Sequence, residues 1–172
     1  VDAGPLLAVA ALSDRIAPGL RAWLATARPQ ARLRKVEVAG MRGGALRARG
    51  RVEGFGFASA DGGPALSGLA GEVNGDARGM TFVPDPAQAV RFGWRKGFAQ
   101  AHVVKLRGRV SGWREGAGWR LGTGSLAIDG DGYDAEVRGG LWFQGDGTRP
   151  WVDLSTWIGT APVSQAHRFW IH

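Results

Sequence analysis

The chain has 172 residues, of which 44% are apolar and 22% charged, with 29 glycines, eight tryptophans and no cysteine. This composition excludes disordered, collagen-like and disulfide-stapled classes and leaves a turn-rich globular chain of one-domain size. The net charge of +7, carried mainly by 19 arginines, favours anionic partners, and both nucleic acid and anionic lipid meet that condition.

The first 30 residues carry the one helical pattern of the chain. Pro5–Ala27 is rich in alanine and leucine, with Ser13-Asp14 as a capping pair and Pro18 dividing the stretch into two pieces. The longest apolar run, Pro5–Leu12, is eight residues long, well short of the roughly 20 that a membrane-spanning helix needs. We therefore predict one or two short N-terminal helices, in a helical segment 1–30, and no membrane-crossing segment.

After Pro29 the hydrophobic period changes to two, as in strands with one apolar and one charged face. The clearest alternating segments are Leu46–Glu53, Val90–Arg95, Val104–Val110 and Tyr133–Phe143. Glycine-bearing turns separate them, at Glu115–Gly118, Asp129–Gly132 and Gly145–Pro150. This pattern predicts nine or ten antiparallel strands over residues 31–172, joined largely by hairpins.

The predicted strands carry more apolar surface than the short helices can cover. The sheet must fold over on itself or leave part of its apolar face open to a ligand, and glycines at inward positions such as Gly50, Gly108 and Gly139 allow bends. We therefore predict a mainly β fold in which a strongly curved antiparallel sheet forms a trough. The candidate groove residues are Leu46, Val52, Phe92, Val104, Leu106, Val110, Leu121, Ile128, Val137 and Leu141.

Catalytic and metal-binding patterns are weak. The carboxylates of Asp129, Asp131 and Asp134 alternate as in a calcium loop, but Tyr133 takes a ligand position, and an Asp-Gly hairpin turn explains the segment better. The three histidines are far apart in sequence, and no G-x-S-x-G or phosphate-loop pattern occurs. We predict no enzyme activity, no catalytic residue, no metal site and no cofactor.

Four tryptophans fall, by period two, on the face opposite the aliphatic residues: Trp113, Trp142, Trp151 and Trp157. Arg107, Arg109 and Arg138 share that face. The tryptophans either support the helices and stack on arginine, or they belong to a membrane head-group boundary. Arginine with tryptophan, together with two RGG pieces at residues 42–44 and 138–140, also keeps single-stranded nucleic acid binding as an alternative.

Three C-terminal runs carry a family resemblance: HVVKLRGRVSGWREGAGWRLGTGSLAI (residues 102–128), RGGLWFQGDGTRPWVDLS (138–155) and PVSQAHRFWIH (162–172). Together with RAWL (21–24) followed by LRKVEV (33–38), they resemble the YhdP type of AsmA-like bacterial envelope protein, within the bridge-like lipid transfer superfamily. The resemblance covers most of residues 21–172 and is most specific over 106–151.

The resemblance implies a long protein held in the inner membrane by an N-terminal helix that this chain lacks, with a periplasmic body of stacked curved sheets. Its partners would be phospholipid acyl chains, neighbouring segments of the same chain, and the inner and outer membranes. The family offers no catalytic motif. Because the chain begins with Val1 and stops at an apolar end, we expect it to be a segment of something longer.

The resulting functional prediction is a lipid-binding segment that moves phospholipid between the inner and outer membranes through an apolar β-groove. The alternatives are a basic β domain that binds nucleic acid and a structural or docking module with a closed core. Because the arginines alternate with the aliphatic residues and fall on the opposite face, the pattern favours lipid, and no nucleic-acid partner is expected.

Overall fold

A computed structural model describes residues 1–10, 12, 18–41, 44, 46–60, 62–98, 100–144 and 148–163. The helices are α1 (Gly4–Ala10) and α2 (Pro18–Ala27). The strands are β1 (Gln30–Gly40), β2 (Leu46–Phe57), β3 (Ala65–Asp76), β4 (Gly79–Pro84), β5 (Ala89–Gly93), β6 (His102–Gly108), β7 (Val110–Glu115), β8 (Gly118–Gly130), β9 (Tyr133–Phe143) and β10 (Trp151–Thr160). The predicted mainly β class is confirmed.

All ten strands belong to one antiparallel sheet. β4 and β5 lie end to end along β3, and β7 and β6 lie end to end along β8. β4 pairs with β7, and β5 pairs with β6. Each end-to-end pair of strands therefore takes the place of one strand, and the sheet is a meander of eight lines of strand from β1 at one edge to β10 at the other. The interruption between β4 and β5 follows Pro84, which has no N–H to donate to the ladder.

Short turns connect several of the strands, as their glycines predict. Asp131-Gly132 joins β8 to β9, and Gly116-Ala117 joins β7 to β8; Gly132 and Gly116 have φ angles of 77° and 59°, in the left-handed region that glycine adopts without strain. The predictions of hairpin turns at these two segments are confirmed. The predicted turn at Gly145–Pro150 lies partly outside the described residues.

The helices lie at the beginning of the described chain. α2 begins at Pro18, as predicted, and the Trp23 indole packs edge-on against Phe57 of β2, with ring centroids 5.3 Å apart. The predicted Ser13-Asp14 cap lies outside the described residues. Neither helix is long and apolar enough to cross a bilayer, within the part of the chain that the structure describes.

Residues 1–3 join the sheet instead of remaining apart from it. The Val1 amino group donates to the Leu33 carbonyl oxygen at 2.7 Å, and the Leu33 N–H donates to the Val1 carbonyl oxygen at 2.8 Å. The Ala3 N–H donates to the Ala31 carbonyl oxygen at 2.9 Å. The predicted helical segment is therefore tied by backbone hydrogen bonds to the edge of β1.

Candidate functional site: the apolar face of the sheet

The strand register places the ten predicted groove residues on one side of the sheet. Residues paired across antiparallel strands point to the same face, and Leu106 pairs with Ile128, Leu121 with Leu141, and Val104 with Val90. We call this side the apolar face. Its predicted members are Leu46, Val52, Phe92, Val104, Leu106, Val110, Leu121, Ile128, Val137 and Leu141.

A register shift in β8 keeps this face apolar along the whole strand. Leu121 and Ile128 are seven residues apart, so strict alternation would place them on opposite faces. Between Thr123 and Leu126 the pairing with β9 shifts by one residue, as in a β-bulge, and the two side chains return to the same side. The glycine-rich GTGS segment marks this position in the sequence, but alternation alone does not locate the shift.

The apolar face has little cover among the described residues. The described hydrophobic residues that are buried are Ala3, Ala27, Ala70, Val90 and Val104, and no large side chain there is fully buried. The whole chain exposes 11945 Å², whereas a compact protein of 18.2 kDa exposes about 8100 Å². The described strands therefore form a single layer and not a closed core.

One apolar cavity, which we call the helix-end cavity, opens on the apolar face and is lined by residues of β3, β5, β6, β8, β9 and β10 and of the β5–β6 connection. It has a volume of about 410 Å³. Four predicted groove residues line it: Phe92, Val104, Leu106 and Ile128. The other lining residues, which are not among the ten predicted groove residues, are Leu66, Val90, Phe98, His102, Tyr133, Ala135, Thr156 and Ile158.

Aromatic side chains close one side of the helix-end cavity. Phe98, in the connection between β5 and β6, stands edge-on to His102 at 5.1 Å and to Phe92 at 6.0 Å between ring centroids. The Tyr133 hydroxyl lies 3.3 Å from His102 Nδ1, within hydrogen-bonding distance. His102 is buried and lines the cavity wall.

A second apolar cavity, the β1-side cavity, lies at the opposite part of the same face and has a volume of about 340 Å³. Leu46 is the predicted groove residue in its wall, and Leu33, Val36, Val73 and Met80 lie beside it. These four residues were not among the ten predicted groove residues; Leu33 and Val36 lie on β1, Val73 on β3 and Met80 on β4. The apolar face therefore carries two separate hollows.

Five predicted groove residues line neither apolar cavity. Val52 pairs with Gly71, Val110 with Phe82, and Val137 with Leu126, so each belongs to the apolar face by register. Leu121 and Leu141 pair with one another and border a cavity on the other side of the sheet. The structure thus brings four predicted residues together in one hollow and distributes the other six along the face.

The opposite side, which we call the charged face, is crossed by ion pairs between neighbouring strands. Arg34 Nε lies 2.6 Å from Glu53 Oε2, and Arg49 Nη2 lies 2.6 Å from Glu37 Oε2. The hydrogen bond from Arg34 is the main cause that holds the pKa of Glu53 below its ordinary value. The Glu53 carboxylate is accordingly ionised at neutral pH, and both ion pairs join side chains of β1 and β2 across the charged face.

Tryptophans on the charged face form a row across four strands. Trp113 pairs with Arg120, Arg120 with Trp142, and Trp142 with Trp151. The Arg120 guanidinium carbon lies 4.9 Å from the centre of the Trp142 ring, so the predicted stacking of arginine on tryptophan is present here. Trp157 faces the same side through its pairing with Glu136.

The acidic segment at the β8–β9 turn does not gather into a metal site. Asp129 pairs directly with Asp134 across the hairpin, and Asp131 lies in the turn itself. Within the described ranges, no three His, Asp or Glu side chains come together closely enough to hold a metal ion.

Comparison with known proteins finds no matching family model, no matching curated protein and no matching solved structure. Function is therefore inferred from the geometry and chemistry of the two faces of the sheet.

Proposed function

We propose that the apolar face binds phospholipid acyl chains, and that this chain is one segment of a longer envelope protein that moves phospholipid between the inner and outer membranes. The observation that carries the proposal is an apolar sheet face left without cover by the described residues. Removing apolar surface from water contributes roughly 25 cal/mol per Å². An acyl chain laid on this face gains that free energy without needing directional bonds.

The two apolar cavities support a ligand of this kind. Their volumes of about 410 and 340 Å³ are of the size that small-molecule sites have. The helix-end cavity offers His102, Tyr133 and Thr156 as its polar side chains, and the remainder of its wall is aliphatic or aromatic. We therefore expect acyl-chain length to affect binding more than head-group identity does.

The proposed trough shape has support in the strand pairing. Register shifts interrupt the β1–β2, β2–β3 and β8–β9 ladders. Bulges of this kind bend a strand and increase its twist. A sheet bent toward its apolar side would enclose an acyl chain on three sides, while the charged face stays in water.

The position of the cations favours lipid over nucleic acid as the ligand of the apolar face. A single-stranded nucleic acid needs cations and aromatic rings on the surface that receives its bases. Lys105, Arg107 and Arg109 all lie on the face opposite Leu106, because side chains alternate between faces and each is one or three residues away from Leu106. The apolar face itself offers aliphatic contacts suited to hydrocarbon.

The family resemblance supplies the cellular part of the proposal. The resemblance implies a segment in the periplasm, within a longer chain anchored to the inner membrane, with neighbouring segments of that chain and both membranes as partners. In this role the segment is not an enzyme and needs no cofactor.

Native mass spectrometry of the chain purified from bacterial membranes tests acyl-chain binding directly. We expect complexes heavier than the protein by the mass of a phospholipid, and loss of these complexes in Leu106→Asp, because a carboxylate would lie in the wall of the helix-end cavity. Lys105→Asp is the matched control, since it introduces the same carboxylate one residue away on the charged face. Absence of phospholipid from the wild-type protein, or equal loss in both variants, would contradict the proposal.

A further inference from the structure

The charged face contains the largest of the described hollows, and acyl-chain binding does not use it. This charged-face cavity has a volume of about 1100 Å³ and lies where β6, β7, β8, β9 and β10 meet. Its wall includes Arg107, Arg109, Trp113, Trp142 and Trp151. It therefore combines cations with aromatic surfaces in one concave site.

Two of the arginines in this wall have no acidic partner. Arg120 is paired with Glu115, with 2.6 Å between Nε and Oε2. Arg107 and Arg109 form no ion pair within the part of the chain that the structure describes, and both side chains are exposed. Two guanidinium groups are thus available to an anion at the same cavity.

The acidic residues of the wall do not neutralise these two cations. Glu136 Oε1 accepts from Arg138 Nε at 2.6 Å, and this hydrogen bond is the main cause that lowers the pKa of Glu136. Asp153 also lines the cavity. Among the described residues, the wall thus has two guanidinium groups and one carboxylate without an ion-pair partner. This excess of positive charge favours binding of an anion. Guanidinium groups bind phosphate through paired N–H donors, as they bind carboxylate.

The floor of the cavity is bare backbone. Gly122 pairs with Gly140 across β8 and β9, and the Trp113 ring lies over Gly122, where a Cβ atom would be 3.4 Å from the ring. A Cβ atom on Gly140 would lie 2.2 Å from the Leu121 carbonyl oxygen, so no side chain fits there. Glycine at both positions keeps side chains out of this part of the wall, and the Trp113 indole lies against it.

We propose that the charged-face cavity binds a phosphate ester, with the phosphate held by Arg107 and Arg109 and the organic group placed against the indoles of Trp113 and Trp151. Arg107 and Arg109 are not part of the apolar face, so this proposal does not rest on acyl-chain binding. A phospholipid head group and a nucleotide share this chemistry, and soluble probes distinguish the two.

Titration followed by phosphorus NMR line broadening tests the site with three probes: inorganic phosphate, glycerophosphoglycerol and adenosine monophosphate. We expect at least one ester to bind more tightly than inorganic phosphate, because the organic group adds contact with tryptophan. Tighter binding of glycerophosphoglycerol identifies a head-group site, and tighter binding of adenosine monophosphate identifies a nucleotide site. Equal binding of all three probes, or no binding, overturns the proposal.

Variants locate the site. Arg107→Gln combined with Arg109→Gln should weaken ester binding about tenfold or more, because two charge-assisted contacts are removed. Lys105→Gln combined with Arg95→Gln removes the same charge from exposed positions outside this cavity and should change the affinity less than twofold.

Trp151→Leu should weaken binding of the esters but not binding of inorganic phosphate. Equal weakening by the two double variants, or no effect of Trp151→Leu, would contradict the assignment. Circular dichroism verifies that each variant is folded.

Discussion

The two faces of this sheet are built from alternate residues of the same strands, yet they differ in how their side chains are satisfied. On the charged face, ion pairs such as Arg34–Glu53 and Arg138–Glu136 join neighbouring side chains and remain in contact with water. On the apolar face, Leu106 and Val137 are only half buried, and described residues do not complete a second layer over them. The comparison shows that the charged face pairs several of its side chains with one another, whereas the apolar face leaves Leu106 and Val137 half exposed without such pairing.

The largest expected effect is on stability, and it distinguishes a buried position on the apolar face from an exposed position on the charged face. Val104 is 9% exposed on the apolar face, and its neighbour Val103 is 48% exposed on the charged face. Val104→Asp would bury an unpaired carboxylate and should cost several kcal/mol, a large part of a total stability on the order of 5 to 15 kcal/mol. Val103→Asp should cost about 0.5 kcal/mol or less. Thermal unfolding followed by circular dichroism measures both; similar melting temperatures would mean that the faces do not differ in burial.

The second effect distinguishes an open groove from a packed core. In an open groove the carboxylates of Leu106→Asp and Val137→Asp reach water when no lipid is bound. We therefore predict that both variants stay folded, with a melting temperature lowered by only a few degrees, while phospholipid binding is lost.

Lys105→Asp, on the charged face, is the control for both measurements. Unfolding of Leu106→Asp and Val137→Asp with retention of the fold in Lys105→Asp would show that these positions are packed core, and the acyl-chain groove would have to be abandoned.

A smaller effect concerns the ion pairs of the charged face. Arg138 Nε donates to Glu136 Oε1 at 2.6 Å, but the Arg138 side chain is largely exposed. Exposed pairs of this kind contribute about 0 to 1 kcal/mol. Arg138→Gln should therefore lower the free energy of unfolding by less than about 1 kcal/mol, as measured by urea denaturation. A loss as large as that of Val104→Asp would mean that the charged face also supports the fold.

The smallest effect is a dependence of stability on acidic pH. Hydrogen bonds hold the pKa values of four carboxyl groups below their ordinary values. Arginine side chains are the main cause for two of them, Arg34 for Glu53 and Arg138 for Glu136. Backbone N–H groups are the main cause for the other two, that of Arg78 for Asp76 and that of Ala87 for Asp85. A pKa lowered by folding adds stability above the unfolded pKa, and that stability is lost as the pH falls through the folded value. The melting temperature should thus be constant near neutrality and decline below about pH 4. A decline that begins near neutral pH would require a different titrating group.

Sequence reasoning predicted which residues lie on each face of the sheet better than it predicted where the cavities are. We predicted Leu106 and Ile128 on one apolar face, and the structure pairs them there; the face could be predicted because side-chain direction in a strand is a local property. The register shift in β8 and the division of one line into β4 and β5 depend on pairing between strands, which no local pattern encodes. Phe98 comes from a connection, and Ile158 from the edge strand β10, so only the assembled sheet brings them to the helix-end cavity.

Photo-crosslinking from neighbouring positions on the two faces tests the central claim most directly. Leu106 pairs with Ile128 on the apolar face, and Lys105 pairs with Asp129 on the charged face one residue away. A photoreactive phenylalanine analogue placed at each of these four positions in turn samples both faces at the same place along the strands. We predict phospholipid crosslinks from the Leu106 and Ile128 positions and none from the Lys105 and Asp129 positions. Equal crosslinking from both faces, or crosslinking from the charged face alone, would contradict the account.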